Sequence, residues 1–129
     1  MENEDLTCPI CDKFIFETYC DFDVCPVCGW ENDGVQAWNH NYSGGANHLS
    51  VNEARIEYFL LKRNDTKERA MKLQKQYQDA CAEIYKRDVG LDYAKEIERA
   101  ERQREEFCQL RKEYMNALNK LLQSIQEQR

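Results

Sequence analysis

Residues 8–28, CPICDKFIFETYCDFDVCPVC, hold two copies of one short motif, Cys8-Pro9-Ile10-Cys11 and Cys25-Pro26-Val27-Cys28. A single Cys-x-x-Cys is also the pattern of a redox dithiol. Two of them thirteen residues apart are the pattern of a four-thiolate metal site, because each two-residue gap turns both sulfurs toward one ion. Cys8, Cys11, Cys25 and Cys28 are therefore the expected ligands. Zinc is favoured over iron, although ligand softness alone does not separate the two. Four thiolates fill a tetrahedron and leave no position for a reactive water, so a structural ion is expected. Between the knuckles, Phe14–Tyr19 and Phe22–Val24 are rich in aromatic and β-branched residues and predict a short antiparallel hairpin. The fold class expected is thus small α+β, opening on a zinc ribbon. Gly29 follows the second knuckle, where the backbone commonly needs φ > 0. Asp12 holds the matching place after the first and still tolerates that region.

Bulk properties narrow the setting. The chain has 129 residues with 33% charged and a mean hydropathy of -0.85, which argues against a large core. No apolar run approaches the roughly 18 residues that span a bilayer. The start, Met1-Glu2-Asn3-Glu4-Asp5, is acidic and unlike a signal peptide. A cytoplasmic location is expected, where cysteine pairs more often bind metal than form disulfides. The net charge of -6 is uneven: residues 1–50 carry nine acidic residues against Lys13 alone, whereas residues 51–129 carry 15 acidic and 17 basic. An acidic metal module is a poor match for phosphate backbones and suits a basic protein partner.

Beyond the knuckles, residues 30–48 are expected to be loop. Ser50-Val51-Asn52-Glu53 has capping-box spacing, predicting a helix over about Val51–Lys62 with Ala54, Tyr58 and Leu61 on one face. Asp65-Thr66-Lys67-Glu68 is a second such start. The helix after it carries Ala70, Leu73, Tyr77, Ala80 and Ile84 at spacings of three and four and ends at Gly90 as a left-handed cap. A last helix, about Asp92–Gln126, carries Ile97, Ala100, Phe107, Tyr114, Leu118, Leu121 and Ile125. The two form a long, coiled-coil-like antiparallel α-helical hairpin. The division expected is a ribbon with its helix over 1–62 and the hairpin over 63–129. Because the last helix is the longer, its stripe of Leu118, Leu121, Leu122 and Ile125 is expected to lack a partner within the hairpin. It then needs the first helix, a second copy (a homodimer through the C-terminal helix), or another protein.

The knuckles, together with Trp30-Glu31-Asn32-Asp33-Gly34-Val35-Gln36, Gly44-Gly45-Ala46-Asn47 and Ser50-Val51-Asn52-Glu53-Ala54-Arg55, resemble the cysteine-rich CPCC family of bacterial proteins over about residues 8–61. The resemblance implies a zinc-binding module without an established activity. This chain departs from the family at Ile10, where a third cysteine is usual, so Cys8 and Cys11 remain the ligands of the first knuckle. From residue 66 onward the chain lies outside the resemblance.

Other residues have a bland reading beside a sharper one. Cys20 is either a fifth, alternative ligand or a plain thiol, and the plain thiol is preferred. Cys81 and Cys108 are expected as small apolar residues in the hairpin seam. His40 and His48 with Glu31 or Asp33 outline a second metal site, and Glu31, Asp33 and His40 an acid/base hydrolase. Those carboxylates are better expected on loop amides and helix ends. Gly44–Asn47 is either an anion nest or, as preferred, a tight turn in which Asn47 ties the loop to the ribbon. Trp30 is expected as packing; Trp38 is open. Arg99, Arg102, Arg104, Arg111 and Lys112 alternate with glutamates, which predicts a solvated face rather than a nucleic-acid footprint. The expectation is a non-enzymatic, zinc-stabilised interaction protein, in the form of an inhibitor or immunity protein against a basic toxin or nuclease. A nucleic-acid-associated regulator and a metal-dependent hydrolase are the alternatives.

Overall fold

A computed structural model describes residues 6–87 and 96–127, and the chain divides into two compact units, Met1–Lys62 and Arg63–Arg129. Among the described residues, four helices occur in order: α1 (Gly34–Trp38), α2 (Val51–Lys62), α3 (Lys67–Arg87) and α4 (Glu96–Glu127). The expected cap at Gly90 lies outside the described residues.

The first unit departs from the hairpin expected between the knuckles. Among the described residues there is no strand, and two isolated antiparallel bridges, Thr7 with Ile15 and Val24 with Glu31, close each knuckle on itself. Cys8 N–H donates to Phe14 O at 2.8 Å and Phe16 N–H to Leu6 O at 2.8 Å. Around the second knuckle, Cys25 N–H donates to Trp30 O at 2.8 Å and Asn32 N–H to Asp23 O at 2.9 Å. The intervening chain cannot run as a continuous strand, because Cys20 and Phe22 sit at φ 56 and 58, a left-handed conformation that breaks the pleat. The other two positive φ values fall where the sequence placed them, at Gly29 (83) and Asp12 (59).

The stretch 30–48 is not all loop. Asp33 caps the five-residue α1, its side chain accepting from Val35 N–H and Gln36 N–H. Farther on, Ser50 and Glu53 form the reciprocal box that starts α2: Ser50 N–H donates to Glu53 Oε1 at 2.9 Å and Glu53 N–H to Ser50 Oγ at 3.2 Å. Arg55 Nε donates to Pro9 O at 2.7 Å, tying α2 to the first knuckle. Val51, Ala54 and Leu60 are the buried residues of this helix, so Leu60 takes the place expected of Leu61. Phe16, Trp30, Leu49, Cys8 and Cys25 are also buried in this unit.

The second unit is the antiparallel pair α3 and α4. Lys67 rather than Thr66 is the first residue of α3, so Thr66 stands at the cap, while the Asp65 carboxylate accepts from Arg63 Nε at 2.6 Å. Tyr77 stacks on Tyr114 at 4.6 Å between centroids, Tyr85 meets Phe107 at 5.0 Å, and Arg87 holds Glu106 at 2.8 Å. Each step along α3 is thus matched by a step back along α4. Continued, this register sets Ala70 level with Leu121 and Thr66 level with Ile125.

That register corrects the expectation of an unpartnered C-terminal stripe. Leu118, Leu121 and Ile125 are buried, whereas Ile97 is 77% exposed and Ala100 is exposed as well. Among the described residues, the surplus length of α4 lies at its N-terminal end, beyond the last described turn of α3.

Candidate metal centre

The two knuckles bring four sulfurs together. Cys8, Cys11, Cys25 and Cys28 each offer a sulfur, and all four lie within 4.8 Å of one another. Cys8 Sγ is 3.5 Å from Cys28 Sγ, and Cys11 Sγ is 3.7 Å from Cys25 Sγ. Both distances are far longer than the roughly 2.05 Å of a disulfide. They approach the edge of a tetrahedron with metal–sulfur bonds of about 2.3 Å, which is ~3.8 Å. The close pairs run between knuckles, so an ion held here would cross-link the two loops.

The backbone prepares the sulfurs in matching ways. Amides of Cys11 and Ile10 point at Cys8 Sγ, and amides of Cys28 and Val27 at Cys25 Sγ. Burial pushes the Cys8 thiol up despite those amides, and it pushes Cys28 up as well. At Cys25, burial is the largest influence and raises the thiol, but the Cys28 and Val27 amides together with the Cys11 and Cys28 thiols outweigh it and the net shift is downward. Buried thiols that stay protonated when alone, with N–H donors ready for a thiolate, fit a cation that displaces the protons.

The other cysteines stand apart from this cluster. Cys20 Sγ accepts the Gly34 N–H at 3.2 Å, at the first residue of α1. Cys81 is buried in α3, with its thiol pushed up by that burial. Cys108 is half-buried, and Arg111 Nη2 lies 3.6 Å from its sulfur.

Among the described residues, the four cysteines are the only group of three or more His, Cys, Asp or Glu able to share an ion. Glu31, Asp33, His40 and His48 do not gather. The Asp33 carboxylate is committed to three amides: Oδ1 takes Val35 N–H at 2.9 Å and Gln36 N–H at 3.2 Å, and Oδ2 takes Ala46 N–H at 2.9 Å. The Ala46 amide of the glycine-rich loop therefore holds this chain's own carboxylate. His40 contributes its carbonyl, which accepts Asn52 N–H at 3.1 Å near the start of α2.

Asn47 does tie the loop to the second knuckle. Its Oδ1 accepts Glu31 N–H and its Nδ2 donates to Glu31 O, both at 2.9 Å. The residue that sequence reasoning missed is Gln36, which is fully buried. Its Nε2 reaches Tyr42 O, Leu49 O and Asn47 O at 3.0, 3.1 and 3.3 Å. Its Oε1 accepts Asn47 N–H at 3.1 Å and Asn47 Nδ2 at 2.9 Å. Only its place beside the Asp33 cap hinted at this role.

Two cysteine knuckles converging on one four-sulfur cluster, braced by a polar loop and a helix, define a small protein built around a potential metal site. The chain belongs to the cysteine-rich CPCC family, whose model matches residues 6–79. The match runs into α3 and so past residue 61, where the resemblance in the sequence was placed. Among curated proteins, none matches the chain.

Proposed function

We propose that the chain is a non-enzymatic, zinc-stapled interaction protein of the bacterial cytoplasm. In this reading Cys8, Cys11, Cys25 and Cys28 hold one zinc ion, and the two knuckles make a zinc ribbon without regular strands. The ion supplies cohesion to a unit whose own apolar core is small. The observation that carries the reading is the sulfur spacing of 3.5 and 3.7 Å. It suits a tetrahedron closed by four sulfurs, with no position left for substrate or water.

The partner in this reading is a basic protein, in the form of a toxin or nuclease that the chain inhibits or to which it confers immunity. The support is charge: no Lys or Arg occurs between Lys13 and Arg55, and a zinc ion on four thiolates would add about two negative charges. Such a field speeds encounter with a cationic surface.

Elemental analysis of the purified chain is expected to find one zinc per chain, lost in Cys8→Ser and kept in Cys20→Ser. A second equivalent, or zinc retained by Cys8→Ser, would refute the four-sulfur staple. Co-purification at moderate salt with a protein of high isoelectric point is the expected result for the partner. Co-purification with nucleic acid instead would remove that part of the reading.

A further inference from the structure

Several apolar side chains of the first unit lie in solvent, and four of them are on or beside α1. Trp38 is 84% exposed and Val35, one turn before it on α1, is 57% exposed. Residues three apart on a helix are neighbours, so the two form a single ridge. The Tyr19 hydroxyl donates to Gly34 O at 3.0 Å. A Cβ on Gly34 would meet the Tyr19 ring at 2.7 Å, so the ring lies against the start of the same short helix. Phe22 is 53% exposed and donates its N–H to Asn32 O at 3.2 Å, two residues before that helix.

This surface is built rather than incidental. Phe22 is a bulky residue at positive φ, a conformation that costs energy unless the surroundings enforce it. Here Asn32 enforces it: Nδ2 donates to Thr18 O and to Asp21 Oδ1, both at 2.9 Å. Asp21 Oδ1 also accepts Asp23 N–H at 3.0 Å. A turn held this firmly presents its rings with little entropy left to lose on binding.

Glu17, Asp21 and Asp23 flank Tyr19 and Phe22 along the chain, and no Lys or Arg occurs between Lys13 and Arg55; the Asp21 carboxylate is engaged within the turn. Exposed aromatic side chains in a segment of one charge sign suit an interface with a cationic partner. An arginine suits both kinds of group, since its guanidinium stacks on aromatic faces and pairs with carboxylates. We propose that the Tyr19–Phe22–Val35–Trp38 surface is the docking site for the basic protein partner, and that it takes a segment in which arginines alternate with apolar side chains. This rests on the interaction reading above and adds the place and the chemistry. Phosphate-rich partners are disfavoured by the acidic charge of this segment, which has no Lys or Arg between Lys13 and Arg55.

The test uses the zinc-loaded full chain and three synthetic twelve-residue peptides: alternating Arg/Leu, alternating Arg/Ser and alternating Glu/Leu. Binding is read by tryptophan fluorescence and by amide shift mapping. The Arg/Leu peptide is expected to bind saturably, shifting amides of residues 19–38. It should bind Trp38→Ala and Val35→Ser about tenfold or more weakly, and Glu17→Gln a few-fold more weakly. The Arg/Ser peptide should bind less well and the Glu/Leu peptide not at all. No saturable binding of the Arg/Leu peptide, or undiminished binding to Trp38→Ala, overturns the proposal. So does equal binding of the Glu/Leu peptide. Self-association abolished by Trp38→Ala in sedimentation would assign the ridge to a second copy instead. A Trp38-dependent signal with anionic vesicles would assign it to lipid. Zinc content measured on every variant separates the two failures. Full zinc with no docking sinks this site alone, and docking that maps to α3 and α4 keeps the interaction reading while moving its surface.

Discussion

Replacing Gln36 by methionine tests whether a buried amide organises the loop beside the cysteine cluster. Methionine preserves the length and unbranched shape of the side chain, so the packing change is small. What is lost is a donor group shared by three carbonyls and an acceptor shared by two donors. The five contacts do not count equally. Tyr42 is exposed and can regain a partner from water, and Asn47 Nδ2 keeps Glu31 O at 2.9 Å. Leu49 is buried, so its carbonyl is stranded, and the half-buried Asn47 N–H loses its acceptor. A buried polar group left unsatisfied costs about 1–3 kcal/mol, so two such groups give about 3 kcal/mol. For a unit of roughly 60 residues that corresponds to a fall in Tm of about 20–25 °C. The assay is thermal unfolding at a fixed zinc excess, since bound metal shifts apparent stability by mass action, followed by Trp30 fluorescence. Gln36→Glu should be worse still at neutral pH, because it turns a charged oxygen toward carbonyls that need a donor. A Gln36→Met protein within ~1 kcal/mol of the parent would show that the loop is held by other means, and the reasoning would fail.

Two further outcomes follow from other parts of the molecule. Burial holds the Cys8 and Cys28 thiols above their ordinary range in the metal-free chain, so at neutral pH both are protonated and zinc must displace the protons. Zinc affinity should therefore fall as pH falls, with release of about two or more protons per ion at pH 7. Calorimetry in buffers of different ionisation enthalpy measures this, and uptake of zinc without proton release would contradict it. In the helical unit, Leu118 is fully buried, and Leu118→Ala should cost about 3 kcal/mol in chemical denaturation. Ile97→Ala, at an exposed position, should stay within ~0.5 kcal/mol of the parent; the reverse ranking would refute the α3–α4 register.

Much of the fold was legible because its signals are local. Ser50 and Glu53 are three residues apart and cap α2 through each other, a contact that spacing alone specifies. Asp12 and Gly29 sit where a knuckle needs a left-handed residue, and both take that conformation. Asn47 was read correctly as the loop's anchor. The expected hairpin failed because strand content says which residues favour extension, not which segment they pair with. Phe14 turned back to Cys8 rather than across to the second knuckle.

The sequence by itself determined the four candidate ligands, since two Cys-x-x-Cys turns restrict what their sulfurs can do. It also determined the helical periodicity, the caps and the acidic field of the first half. Only the tertiary structure decided which long-range partners satisfy buried polar groups. Asp33, expected on loop amides or a helix end, found its partners at α1 and at Ala46, and Gln36 became a buried hub. Only the structure, too, put the spare length of α4 at its N-terminal end and left Trp38 in solvent. Chain spacing governs contacts within a turn or two. Contacts between distant segments depend on how the whole chain closes, and closure is a property no short stretch of sequence contains.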